Sequence, residues 1–286
     1  MGTTAILTWA LALAPSKDNY WSTDVQTGSS YDDFATIKEP YNRLHSAVSS
    51  LSKGPVAPSD KIGCSDVALI LRSCMANGRL LAADKPAMLI DAAHVQKAFS
   101  GSTTGNASDG ATSGAGPDGE VWVTHTHLGD SVFGVAMAAV LQSDYQLSLA
   151  KDMGMSGAHV HYEANTSSSV SRSPTIPLKT CGKWDFQLYA VAPVLPNGWA
   201  LLGEPDKWVP VSNERFRDFS SSGGGGGDGS SSVTTMGVEG ETVSVAWLAP
   251  NATTPTTVVC TIARGSAVSV RVSIVLGRPE GACVPM

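Results

Sequence analysis

At 286 residues and 29.6 kDa the chain is long enough to bury a sizeable core and to hold two domains. Only 15% of residues are charged, the net charge is −6, and the 19 Lys and Arg form no basic stripe, which argues against a nucleic-acid partner. With 29 Gly, 16 Pro and 42% hydrophobic residues, the composition points to a loop-rich globular protein with more strand than long charged helix.

The run from Ala5 to Ala14 is apolar and empties into Pro15 and Lys17. It has the profile of a signal-peptide core without a basic leader, and it is too short to span a bilayer. We read it as a buried strand with its flanking helix end. The sequons beginning at Asn106, Asn165 and Asn251 keep a secretory route open beside a cytoplasmic one. Tyr20-Trp21-Ser22-Thr23-Asp24 sets two aromatics beside a carboxylate, a combination that suits a sugar with its apolar C–H faces and its hydroxyls. Core packing is the commoner fate of a Trp such as Trp21.

From Glu39 to Leu51 the apolar positions Leu44, Ala47, Val48 and Leu51 recur at helical spacing, with Pro40 in the first turn. His45 falls on the flank of that helix. Gly54-Pro55-Val56-Ala57-Pro58-Ser59-Asp60-Lys61 is apolar, then polar, and its prolines rule out a helix. It reads as a short buried strand delivering Ser59, Asp60 and Lys61 to one edge of a scaffold; the alternative is a Pro-rich surface turn. Asp66 to Met75 reads as a second helix with Ser65 or Asp66 as N-cap, and Asn77-Gly78 as a turn. Residues 1–95 thus have the rhythm of α/β units.

Residues 99–119 are mostly Gly, Ser, Thr, Asn, Asp and Ala without periodicity, as expected of a flexible linker. Beyond them, strands are expected at 120–127, 132–141, 184–191, 199–203, 241–247, 256–262 and 267–276, which implies an antiparallel β-sandwich over 120–286. The Gly/Ser stretch 220–232 reads as a disordered tip. Cys64, Cys74, Cys181, Cys260 and Cys283 show no metal-ligand spacing, although Cys260 and Cys283 can pair if their strands are neighbours. His125-x-His127 and His159-x-His161 each place two imidazoles on one strand face, a metal site only if the pairs meet, and no acidic residue stands at a supporting spacing. There is no G-x-S-x-G elbow, and the glycine tract lacks the Lys and helix of a phosphate loop. Trp199 and Trp208 would form a sugar-stacking platform if exposed; filling the sandwich core is the reading we favour.

Two stretches, taken in order, resemble a known family. Gly54-Pro55-Val56-Ala57-Pro58-Ser59-Asp60-Lys61, with the following Leu-rich helix and Asn77-Gly78-Arg79-Leu80-Leu81, is similar to the end of the catalytic barrel in the plant raffinose synthase and alkaline α-galactosidase group. Ala192-Pro193-Val194-Leu195-Pro196-Asn197-Gly198-Trp199 to Gly203 resembles a segment of that group's C-terminal β domain. Upstream, Trp21-Ser22-Thr23-Asp24 is similar to the S-D-D segment carrying the family's general acid/base, with Thr23 standing where the family has its first aspartate.

The resemblance implies the C-terminal portion of a (β/α)8 barrel over residues 1–98, followed by the β-sandwich. It implies Asp24 as catalytic acid/base, and Trp21, Asp60 and Lys61 as contacts to an oligosaccharide substrate. Neither metal nor organic cofactor is implied, and neither nucleic acid nor membrane is an expected partner. By that alignment the family's nucleophilic aspartate lies on an earlier barrel strand. A retaining glycosidase needs two carboxylates roughly 5–5.5 Å apart. The expectation is therefore a glycosidase-like protein for α-galactosides (hydrolysis or galactosyl transfer) that is a C-terminal fragment, inactive alone. The alternative is a carbohydrate-binding or purely structural sandwich.

Overall fold

The computed structural model describes residues 5–26, 38–99, 116–164, 169–222, 230–262, 269–275 and 282–285. Helices are few and short: α1 (Ala5–Ala10), α2 (Asn42–Leu51), α3 (Val67–Leu71) and α4 (Asp91–Phe99). None is long and apolar enough to cross a membrane. The helix expected from Leu44, Ala47, Val48 and Leu51 is α2, whose inward face carries Ala47 and Leu51 along with Ser46, Ser49 and Ser50. The Asp66 side chain caps α3 by accepting from Leu69 N at 3.0 Å. The expected turn follows, with Gly78 at φ +82°, a conformation that an L side chain rarely adopts.

The strands are β1 (Met88–Leu89), β2 (Glu120–Leu128), β3 (Ser131–Ala139), β4 (Tyr145–Ser148), β5 (His159–Glu163), β6 (Thr175–Leu178) and β7 (Phe186–Pro193). They continue with β8 (Ala200–Gly203), β9 (Phe216–Ser222), β10 (Ser230–Met236), β11 (Thr242–Leu248), β12 (Thr256–Thr261), β13 (Ser269–Val275) and β14 (Ala282–Pro285). They form sheets of order β1-β2-β3-β7-β5, β14-β13-β10-β9, β12-β11-β8 and β4-β6, and every ladder is antiparallel. In β3 the run Phe133–Ala139 is buried without alternation, so both faces of the first sheet are covered. One core joins Phe133, Tyr162 and Ala192 to Leu201, Phe216, Val233 and Trp247, which is sheet packed on sheet.

The expected C-terminal portion of a (β/α)8 barrel is not present among the described residues. That fold needs parallel strands joined by helical crossovers. Among the described residues up to 98 there is one two-residue strand, β1, and it pairs antiparallel with β2. The anticipated N-terminal strand is instead helix α1, which leaves Leu7, Leu11 and Leu13 exposed along and just beyond it. Pro55 and Pro58 supply no backbone N–H, so the stretch around Asp60 cannot sustain a ladder, and a single parallel bridge, Tyr20 to Pro58, is what forms.

Rather than closing a cylinder, the N-terminal helices share a core with the first sheet. Ala47, Leu51, Leu69, Leu89 and Ala93 pack with Val121, Met137, Leu188 and Trp208. Trp208 is fully buried, donates from its indole N–H to Ser46 Oγ at 2.9 Å, and carries the Arg72 guanidinium 3.8 Å from its ring centroid. Burial of that guanidinium, with Arg43 nearby, holds Arg72 down at about 10. Arg72 therefore ties α3 to the sandwich through stacking.

A buried ion triad makes a second tie. Arg215 donates from Nε to Glu204 at 2.7 Å and from Nη2 to Glu241 at 2.6 Å, and Glu241 also accepts from Ala76 N at 3.2 Å. Burial opposes the charge on Arg215, but its two carboxylates outweigh that and keep it charged. Burial pushes the deeper Glu204 up despite Arg215; at Glu241 the same burial is overcome by the Arg215 bond, and its carboxyl is lowered. Cys260 is disulfide-bonded, whereas Cys64, Cys74 and Cys181 are free. The Cys283 side chain, most of the expected linker (100–115) and the centre of the Gly/Ser stretch (223–229) lie outside the described residues.

Candidate functional site

The two N-terminal segments singled out for chemistry meet at one edge of the molecule. Tyr20 N donates to Ala57 O at 3.3 Å and Ser59 N donates back to Tyr20 O at 2.8 Å, which sets the segments side by side. Asp60 then locks them. Its Oδ1 accepts from Ser22 N at 2.7 Å and Gln26 Nε2 at 2.6 Å, and its Oδ2 accepts from Ser22 Oγ at 2.6 Å. Ser22 Oγ accepts in turn from Asp66 N at 2.7 Å, and Gln26 Oε1 accepts from Lys61 N at 2.5 Å. Thr23 Oγ1 donates to Cys64 O at 3.0 Å.

This network sorts the expected site residues by chemistry. Asp60 takes three protein donors, two of them on Oδ1, and so holds the two segments together. Asp24 is exposed, and among the described residues its carboxylate meets Asn42 Nδ2 at 3.3 Å, a long bond. Asn42 Nδ2 also donates to Ser22 O at 3.0 Å, which fixes the amide beside Asp24. Trp21 is half-buried and Lys61 exposed on the same pair of segments. The edge thus brings together Trp21, Asp24, Asn42 and Lys61. Thr23 is committed to Cys64. Sequence reasoning passed over Asn42, whose position at the start of α2 was its only signal.

The tryptophan platform is not formed. Trp199 is 5% exposed and Trp208 not at all, both inside hydrophobic clusters.

A second concavity lies where β1 and α4 meet β2. It encloses about 480 Å³, with Met88, Val95, Met153 and Met155 giving apolar walls and Lys85, Asp152 and His125 polar ones. Met153 and Met155 reach so close over Gly134 that a Cβ there would sit 2.7 Å from the first and 2.9 Å from the second. On the rim the loop before β1 runs along β2 and carries Asp84. Donor atoms of Asp84, His125 and His127 all lie within 4.8 Å of one another, a set that can hold a metal ion. Burial, reinforced by Lys85 and His127, lowers the His125 pKa against the pull of Asp84.

The other histidine pair does not join them. His125 is in register with Gly134, Gly134 with Val191, and Val191 with His161. Three strand spacings of about 4.8 Å therefore hold the pairs about 14 Å apart. His161 is buried and faces Tyr189, with ring centroids 6.1 Å apart.

No family model matches the chain, and no curated protein matches it.

Proposed function

We propose that this chain binds an α-galactoside-type oligosaccharide at the Trp21–Asp24–Asn42 edge, as the non-hydrolysing part of a glycosidase-like protein. The observation that carries this reading is the Asp60 network, which holds a half-buried indole, an exposed carboxylate and a fixed carboxamide on one surface. An indole offers a flat apolar face to the C–H side of a pyranose, while carboxylate and amide are planar groups that engage paired hydroxyls. Cleavage by a carboxylate pair is disfavoured at this edge, because the second acid, Asp60, is consumed by Ser22 and Gln26.

The test is a titration of raffinose into ¹⁵N-labelled protein. Shifts should concentrate at the Trp21 indole and Asn42 amide, and Asp24→Asn should weaken binding by roughly 10- to 150-fold, the value of about 1.5–3 kcal/mol for a bond to a charged group. Aryl α-galactoside should not turn over. Unperturbed Trp21 and Asn42 signals at saturating sugar would sink the reading. A purely supporting role for the sandwich itself is favoured by the burial of Trp199 and Trp208, which leaves neither indole for a ligand.

A further inference from the structure

We propose that Asp84, His125 and His127 form a binding site for a divalent first-row transition metal of the zinc class, open toward the cavity beside β2. The site is independent of the sugar-binding edge and involves none of its residues.

The donor set comes from two elements that the fold fixes against each other. His125 and His127 are two apart on β2 and so project from one face, their rings 4.8 Å apart edge-to-face. Asp84 is more than forty positions upstream, and three bonds set its position. Its backbone N–H donates to His125 O at 3.0 Å, its Oδ2 accepts from His127 N at 2.7 Å, and its Oδ1 accepts from Asn213 Nδ2 at 2.9 Å. The loop is further pinned by Lys53 Nζ on Ala83 O at 3.0 Å and by Thr124 Oγ1 on Lys85 O at 2.5 Å. The carboxylate is therefore oriented before any ion arrives, as outer-shell partners orient ligands in metal sites.

The chemistry of the donors agrees with this class of ion. A tetrahedral ion with bonds of about 2.0–2.2 Å needs ligand atoms about 3.3–3.5 Å apart. In the ion's absence Asp84 Oδ2 is hydrogen-bonded to His127 Nδ1 at 2.7 Å, a bond the ion would replace, and the whole set falls within 4.8 Å. Binding would require that bond to open and the two imidazoles, one of them on an exposed residue, to rotate about the ion. Two nitrogens and one carboxylate oxygen suit zinc, cobalt or nickel; calcium and magnesium prefer all-oxygen shells. Three protein ligands leave a fourth position, and His125 lines the cavity of about 480 Å³ beside it.

Zinc chloride titrated calorimetrically into the full chain should bind at one ion per chain, and cobalt(II) should give the visible absorption of a four-coordinate N/O site. His125→Ala, His127→Ala and Asp84→Asn should each weaken zinc binding at least tenfold. Because free cysteines can also take up zinc and a variant can misfold, histidine ring resonances of the unaltered protein are followed in parallel. His125 and His127 should shift at one equivalent of zinc while His159 and His161 stay put. Ring signals of His125 and His127 unmoved by excess zinc would overturn the proposal, as would wild-type zinc affinity in a folded His125→Ala/His127→Ala double variant.

Discussion

Replacing Asp60 by alanine tests how the N-terminal edge is held together. Three donors lose their acceptor at once: Ser22 N, Ser22 Oγ and Gln26 Nε2, at 2.6–2.7 Å. Hydrogen bonds to a charged group contribute about 1.5–3 kcal/mol each and do not add, and a buried donor left bare costs about 1–3 kcal/mol. Ser22 is fully buried, so water cannot replace the carboxylate without opening the segment. We expect a loss of about 3–4 kcal/mol, a large part of the roughly 5–15 kcal/mol that holds a domain folded. Urea denaturation measures the loss, and amide exchange locates it, with protection falling first at Ser22, Lys61 and Asp66. Asp60→Asn keeps one acceptor and should fall between. A loss under about 1 kcal/mol with unchanged exchange at Ser22 would show that the edge is held by something else.

Trp208→Ala should cost about 3–5 kcal/mol in urea denaturation, because it removes a fully buried indole and the face on which Arg72 stacks. Arg215→Ala leaves two buried carboxylates unpaired and should cost about 3–5 kcal/mol at neutral pH. Freed of Arg215, both acids titrate higher, so that loss should shrink as pH falls and they take up protons. In the unaltered protein Glu241 contributes the other way: its carboxyl is lowered, so its stabilisation is present above 4.5 and is lost as pH drops below it. Asp144, which accepts from Lys179 and Thr180 at the β4–β6 edge, should titrate at about 2 by carboxyl NMR rather than at 3.8. Its contribution is whole above 3.8 and fades toward 2, and Lys179→Met should move the titration back up.

The legible parts of this fold were those where one periodicity dominates. α2 follows from four apolar positions, and β2, β3, β7, β8, β11 and β12 from alternation or unbroken apolar runs. β9 and β10 leave little trace in the sequence, because Ser220–Ser222 face Ser230–Ser232 across the ladder and serine carries little strand signal. β6 was hidden by Pro177, tolerated at the edge of a two-stranded sheet. The barrel reading failed for a different reason. Short helices alternating with apolar stretches fit α/β units locally, and only tertiary packing shows them laid against an antiparallel sheet. The meeting of Ser22, Asp24 and Asp60 follows the paired reading of their segments, whereas Asp84 had no local cue to set it beside two histidines over forty positions downstream.

The most direct measurement is calorimetric titration of raffinose into the unaltered protein and into Asp24→Asn, each first shown to be folded by circular dichroism. A sugar site at this edge requires saturable binding to the unaltered chain and binding weakened at least tenfold in the variant. Equal heats from the two proteins, or none from either at millimolar sugar, would contradict it.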